Sequence, residues 1–439
     1  MSSKQNPADT AAVAGQRAGL TRRQAIPLAI GSVAGSGILF LPSAVYVESG
    51  GNSLLVWVGS VLLCVPMLLM FDDMVRTNPE GDGIESFVRV GLGDVLARCV
   101  PAMFLSLVIV GLPAGALVAG RYVSEGLGSG PALVIAAVAM LLVALKVNLA
   151  GNRASNRVQL AGTWALIAMT AVLLVSALTR ARFGIETVTP DSSAFRVLLP
   201  TVVLAFWAFA GFENLTFLSK EFRHPKRDFL PVSVIALSVY GLFTILLTLA
   251  IALRIPRGEV DDVAGLLQLA GDIQPRRVAL IAVMVIAFGA MVLNAVSWVW
   301  GVSRLVVDAS SRSVLPKWFA HTDSADIPRR ALALLTALFT VVLTVLAIFP
   351  SLLVDALATA SAIFILMYLL CIVSYLKVRG LTVRSGLNAV LLVIMVASLI
   401  QSGWRSLYGV VVFIAALTVH LIVRKRGMRA TEPETGAIG

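Results

Sequence analysis

Apolar residues run through this chain in long stretches, separated by short polar loops. About twenty apolar residues cross the hydrocarbon core as a helix, and several windows of that order here carry no charge. The runs predict twelve spans, at about 23–47, 53–75, 95–126, 131–149, 158–178, 196–218, 230–255, 276–308, 331–349, 352–376, 387–402 and 406–423. A polar tail over 1–22 precedes them and a basic, then polar, tail over 424–439 follows. Between spans 2 and 3 the piece Ile84–Val90 is amphipathic and is expected at the membrane interface. The fold class is therefore an all-α polytopic membrane protein.

Two of the runs are not built like the others. The first span carries Gly31, Ser32, Gly35, Ser36 and Gly37 at its middle, where a helix is poorest in propensity, and a break is expected near Gly35–Gly37. In lipid, unpaired backbone groups are tolerated only where protein buries them or a cavity takes them up. The sixth span contains Phe206-Trp207-Ala208-Phe209-Ala210-Gly211-Phe212-Glu213-Asn214, with Gly211 as the second expected break. The two interruptions stand five spans apart. Paired breaks in corresponding places of two halves point to a secondary transporter built from inverted repeats. Repeat one then covers about 23–179, repeat two about 196–377, and two extra helices fill about 385–423. Broken helix ends meeting near the midplane offer amides to a carboxylate and carbonyls to a cation. A zwitterionic amino acid suits both.

Composition narrows the alternatives. Of the 439 residues 58% are hydrophobic and 13% charged, about half the charge of a soluble chain. The net charge of +11 is scattered in short clusters between apolar runs, which excludes a nucleic-acid-binding surface. Arg and Lys gather in both tails and the even-numbered loops, so the positive-inside rule places both termini in the cytoplasm of a cell's inner (plasma) membrane. Cys64, Cys99 and Cys371 have no metal or disulfide spacing. His224, His321 and His420 lie in loops or near a helix end. No catalytic motif falls within the spans, so an enzyme is not expected, and no cofactor is required.

Gly35-Ser36-Gly37-Ile38, with Phe209-Ala210-Gly211-Phe212-Glu213 in span 6, resembles the amino acid–polyamine–organocation transporters. So does Glu221-Phe222-Arg223-His224-Pro225-Lys226-Arg227 after it. Gly50-Gly51-Asn52-Ser53-Leu54, Met367-Tyr368-Leu369-Leu370-Cys371 and Gly403-Trp404-Arg405-Ser406-Leu407-Tyr408 are similar to the bacterial methionine and branched-chain amino acid exporters. The resemblance covers nearly all of Gln24–Val423. It implies five plus five inverted helices with two added, and alternating access around a midplane site. It also implies export of neutral apolar amino acids such as methionine, leucine, isoleucine and valine. Import or exchange of amino acids or polyamines, and export of an amino-acid-derived natural product, stay open beside it. The chain departs from the family at Pro79-Glu80-Gly81-Asp82-Gly83, where Asp82 replaces the first glycine of a Gly-Gly pair.

The candidate substrate-binding residues are Gly35, Ser36, Gly37, Ile38, Phe206, Trp207, Phe209, Gly211, Asn294 and Trp298. Ser36 offers hydroxyl and amide to a carboxylate, or packs helices. Trp207 matches an aromatic gate of related exchangers, or is a core tryptophan. Asn294, Ser297 and Trp298 face the site, or else lipid or the core. Glu213 is the only acidic residue deep within a span, which suggests a proton or coupling role; the alternative is that it accepts hydrogen bonds from the broken backbone. Asp72, with Asp73, closes an inner gate by ion pairs or ends a solvated helix. Arg304 and Asp308 pair with each other or with the loops. Span 5 lacks the lysine of certain proton-coupled members, while sodium would need only carbonyls and hydroxyls. Lipid surrounds the bundle, and a homodimer is left open.

Overall fold

The computed structural model describes residues 20–33, 35–77, 83–151, 156–179, 222–311 and 315–429, together with parts of 198–219. The first span is two half-helices, α1 (Arg22–Val33) and α2 (Ser36–Ser49). They are 12 and 14 residues long, about 20 Å each, so neither crosses a core of about 30 Å alone. A turn at Gly50–Asn52 leads into α3 (Ser53–Thr77). Then come α4 (Ile84–Leu92), the single turn α5 (Asp94–Ala97), α6 (Cys99–Leu127), α7 (Ala132–Leu149) and α8 (Asn156–Thr179). The second half holds α9 (Pro225–Arg254), the short α10 (Gly265–Ala270), α11 (Arg276–Ser311), α12 (Arg329–Ile348) and α13 (Leu353–Arg379). The last two are α14 (Val383–Gln401) and α15 (Trp404–Arg429). Among the described residues ten helices are long and apolar enough to cross a membrane. They correspond to the expected spans other than the first and the sixth, the second being continuous with the half of the first that begins at Gly37. The first is divided by its break, and the sixth lies only partly within the described residues.

Helix pairing carries the repeat symmetry. The second helices of the two halves, α3 and α9, pack together, as do the third helices, α6 and α11. The broken first members meet too, α2 lying against the turn at Trp207–Phe209. Two copies of one motif inserted in opposite directions bring like helices face to face in this way. The chain has this inverted-repeat fold of five plus five helices with two added. α14 and α15 sit outside it, mainly against α13, with many of their apolar side chains exposed. A monomer in water would not leave such faces uncovered, and this is a multi-pass membrane protein.

Two details differ from the sequence reading. α4 does not merely lie on the surface. Its Ile84, Phe87 and Val88 are buried, and Ser374 Oγ of α13 donates to Phe87 O at 2.6 Å. The Asp72-Asp73 pair is not a solvated helix end, both side chains being buried. Arg384 of α14 reaches Asp73 at 2.7 Å and Asp72 at 3.4 Å. Arg76 holds Asp72 at 2.9 Å and Tyr375 donates to Asp73 at 2.6 Å. Arg304 pairs with Asp326 at 2.7 Å, so it contacts the following loop. Pro79, Glu80, Gly81 and Asp82 lie outside the described residues.

Candidate functional site

The first break falls slightly earlier than the glycines suggest. α1 ends at Val33 and α2 begins at Ser36, with Gly35 between them and its N–H turned onto Val33 O at 2.8 Å. Ser36 and Gly37 thus open the second half-helix. Gly35 occupies the N-cap position and contributes no side-chain acceptor, so the first-turn amides of α2 are left for another partner. Gly37 is required by close approach: a Cβ there would lie 2.8 Å from Ala208 Cα and 3.2 Å from Tyr240 Oη. The backbones of the two breaks touch at this point, which no larger residue permits.

The second break is held open by its own carboxylate. After the turn at Trp207–Phe209, Gly211 takes φ of +119°, a conformation that favours glycine. Its N–H donates to Glu213 Oε2 at 3.0 Å. A side chain therefore stands in for the missing helical carbonyl. The same oxygen accepts from Tyr368 Oη of α13, while Glu213 Oε1 is buried with no hydrogen-bond partner among the described residues. The acceptor reading of Glu213 is what the geometry displays; a coupling role is compatible with it.

A cavity of about 580 Å³, counted to its open mouth, adjoins the first break. It is bounded by Gly35 and Gly37, by Asn294 and Trp298 of α11, and by Phe364 of α13, with a wall from α6. Asn294 presses on the break, its amide nitrogen 3.0 Å from where a Cβ of Gly35 would be. Four candidate residues from the sequence, Gly35, Gly37, Asn294 and Trp298, thus come together. Ile38, Phe206 and Phe209 are buried beside the cavity but do not border it. Phe209 packs against Trp57, Phe212 and Tyr240 at 5.8–6.2 Å between ring centroids. Phe206 lies 5.6 Å from Tyr368. Ser297 faces outward and bonds back to Leu293 O at 3.2 Å. Asp72 is at the far end of α3, with the ion pairs. The side chains of Ser36 and Trp207 lie outside the described residues.

Sequence reasoning missed three aromatics. Phe364 borders the cavity, stacking with Tyr368 at 6.2 Å and crossing Trp298 at 6.2 Å. Tyr368 carries that contact on to Glu213. Tyr240 directs a buried hydroxyl, without a partner among the described residues, at the Gly37–Ala208 contact. Nothing in one sequence separates such tyrosines from ordinary core residues. A hydroxyl in an otherwise apolar span was the one available signal.

The far face is closed by the segment after α9. Asp261 accepts from the amides of Val263 and Ala264 at 2.9 and 2.7 Å and pairs with Arg121 of α6 at 2.7 Å. Burial pushes its carboxyl up. The Arg121 guanidinium and the two amides outweigh that, and the net direction is below the ordinary carboxylate range. Beside it Asp262 is pushed up by burial and by the Asp261 charge. Gly265 of α10 abuts Ser43 of α2, so this cap rests on the first broken helix.

The amino acid permease family model matches residues 20–423. The L-methionine/branched-chain amino acid exporter YjeH of Escherichia coli is 29% identical over 92% of this chain and 96% of its own length. An uncharacterized amino acid permease, YecA of Bacillus subtilis, is 26% identical over 82% of this chain and 85% of its own. Among solved structures, MhsT in complex with L-phenylalanine superposes with a TM-score of 0.60 at 18% identity. That match covers 88% of this chain and all of the other.

Proposed function

This chain belongs to the amino acid permease family, and we propose that it exports neutral apolar amino acids across the plasma membrane by alternating access. The observation that carries this is the cavity beside the broken first span: the first turn of α2, with no side-chain cap, at one side, an apolar wall at the other, and no carboxylate or basic side chain among its described lining. A carboxylate would sit on the first-turn amides of Ser36, Gly37 and Ile38, within reach of Asn294. The ammonium would take carbonyls of the broken backbone. The apolar side chain would contact Trp298 and Phe364, with Trp207 as the gate. A cationic polyamine would leave a buried charge unpaired here, which costs several kcal/mol, so that reading is the weaker one.

Both termini face the cytoplasm in this account, and Glu213 couples transport to a proton. The Asp72–Arg384 cluster closes the inner side. Repeat one spans about 23–179, repeat two about 196–377. The test is counterflow of labelled methionine and leucine into proteoliposomes, with and without a proton gradient. Saturable exchange of both, accelerated by the gradient, is expected. No exchange of any apolar amino acid would overturn the proposal.

A further inference from the structure

The cavity does not stop at the broken helices. Its wall on α6 consists of Leu107, Val108, Gly111, Leu112 and Gly115, a single helical face by their three- and four-residue spacing. Gly111 and Gly115 present no side chain to it. The lining also includes Met140 of α7 and Met291 of α11. α6, α7 and α11 all pack on one another, so this part of the cavity is a slot between packed helices, opened where two glycines stand one turn apart. Both methionines are buried at 2% exposure. Their thioethers are flexible and polarisable and adapt to what lies against them.

We propose that this slot is the side-chain subsite and selects long, unbranched apolar side chains, methionine and norleucine above leucine and isoleucine, and valine and alanine last. The proposal rests on the amino acid transport reading above and adds its selectivity. A substrate held by its carboxylate and ammonium at the Gly35–Gly37 break sends its side chain along the glycine face toward Met140. Each further buried methylene then gains about fourfold in affinity. A short side chain leaves the slot empty, and an unfilled apolar cavity loses those contacts. A second branch has to fit between two helices already in contact.

The test is competition against labelled methionine counterflow by unlabelled methionine, norleucine, leucine, isoleucine, valine and alanine, for the parent and for Gly115→Val and Met140→Ala. Each amino acid is also scored by the thermal shift it gives the detergent-purified full chain. In the parent, norleucine should compete as well as methionine and at least tenfold better than valine. Gly115→Val, which narrows the slot, should lose most of that advantage, weakening the long side chains severalfold more than alanine. Met140→Ala, which only enlarges it, checks the same wall without the risk of overpacking and should shift preference toward branched side chains. Equal competition by norleucine and valine in the parent, or variants that weaken every amino acid alike, would overturn the proposal. Exchange absent for all, with thermal shifts still ranked by side-chain length, would overturn the transport reading and keep the slot. Shifts with no such ranking would overturn the slot as well.

Discussion

At the scale of single residues, the two glycines at the breaks and one carboxylate do most to shape the site. Gly37 allows backbone contact between the broken helices, and its nearest neighbour is a main-chain atom that cannot rotate away. Gly37→Ala should therefore lower transport at least tenfold, with a stability cost of about 1–3 kcal/mol that leaves the protein folded by size-exclusion and Tm. Glu213→Gln keeps acceptors for the Gly211 amide and Tyr368 hydroxyl but cannot carry a proton. Exchange should persist in that variant while its dependence on a proton gradient is lost; gradient-driven uptake beside counterflow separates the two. Gly35, Gly37 and Glu213 were all legible in the sequence because each is out of place in an apolar run. Phe364 and Tyr240 were not, since an aromatic in a helix is ordinary until its neighbours across the fold are known.

At the scale of elements, the bundle is fastened at opposite faces by different charge clusters. Arg384 ties α14 to Asp72 and Asp73 of α3, in a setting where removing one partner leaves buried charge behind. Arg384→Ala should cost about 1–2 kcal/mol, less than a fully buried pair because the arginine is partly solvated. Asp73→Asn in that background should recover part of the loss, which a double-mutant cycle on Tm would read. On the other face Asp261 has a lowered pKa. Its contribution is complete above the unfolded carboxylate value and is lost as pH falls through the lower folded one. Asp261→Asn should then flatten the acid side of the Tm–pH curve below about pH 4 and cost about 1 kcal/mol at neutral pH. The spans themselves were readable from run length. The docking of α4 on α13 was not, because its amphipathic pattern is the same whether protein or lipid covers the apolar face.

At the scale of the whole molecule, ten of the twelve expected spans are found whole among the described residues; the first falls short because its break divides it into two half-helices, and the sixth is described only in part. The pairings α3 with α9 and α6 with α11 give the inverted repeat a physical form. Sequence spacing had supplied only the five-span interval between breaks. What joins the scales is the claim that the two breaks and the cavity between α6, α11 and α13 form one site reached alternately from either side. Leu112→Cys, in a background with Cys64, Cys99 and Cys371 replaced by alanine, puts a reporter in the cavity wall. The measurement is its alkylation by a membrane-impermeant maleimide, in inside-out and right-side-out vesicles, with and without methionine. The account predicts labelling from both sides, slowed severalfold by saturating methionine and unaffected by glutamate. Labelling that methionine leaves unchanged, or that occurs from one side only under every condition, would contradict it.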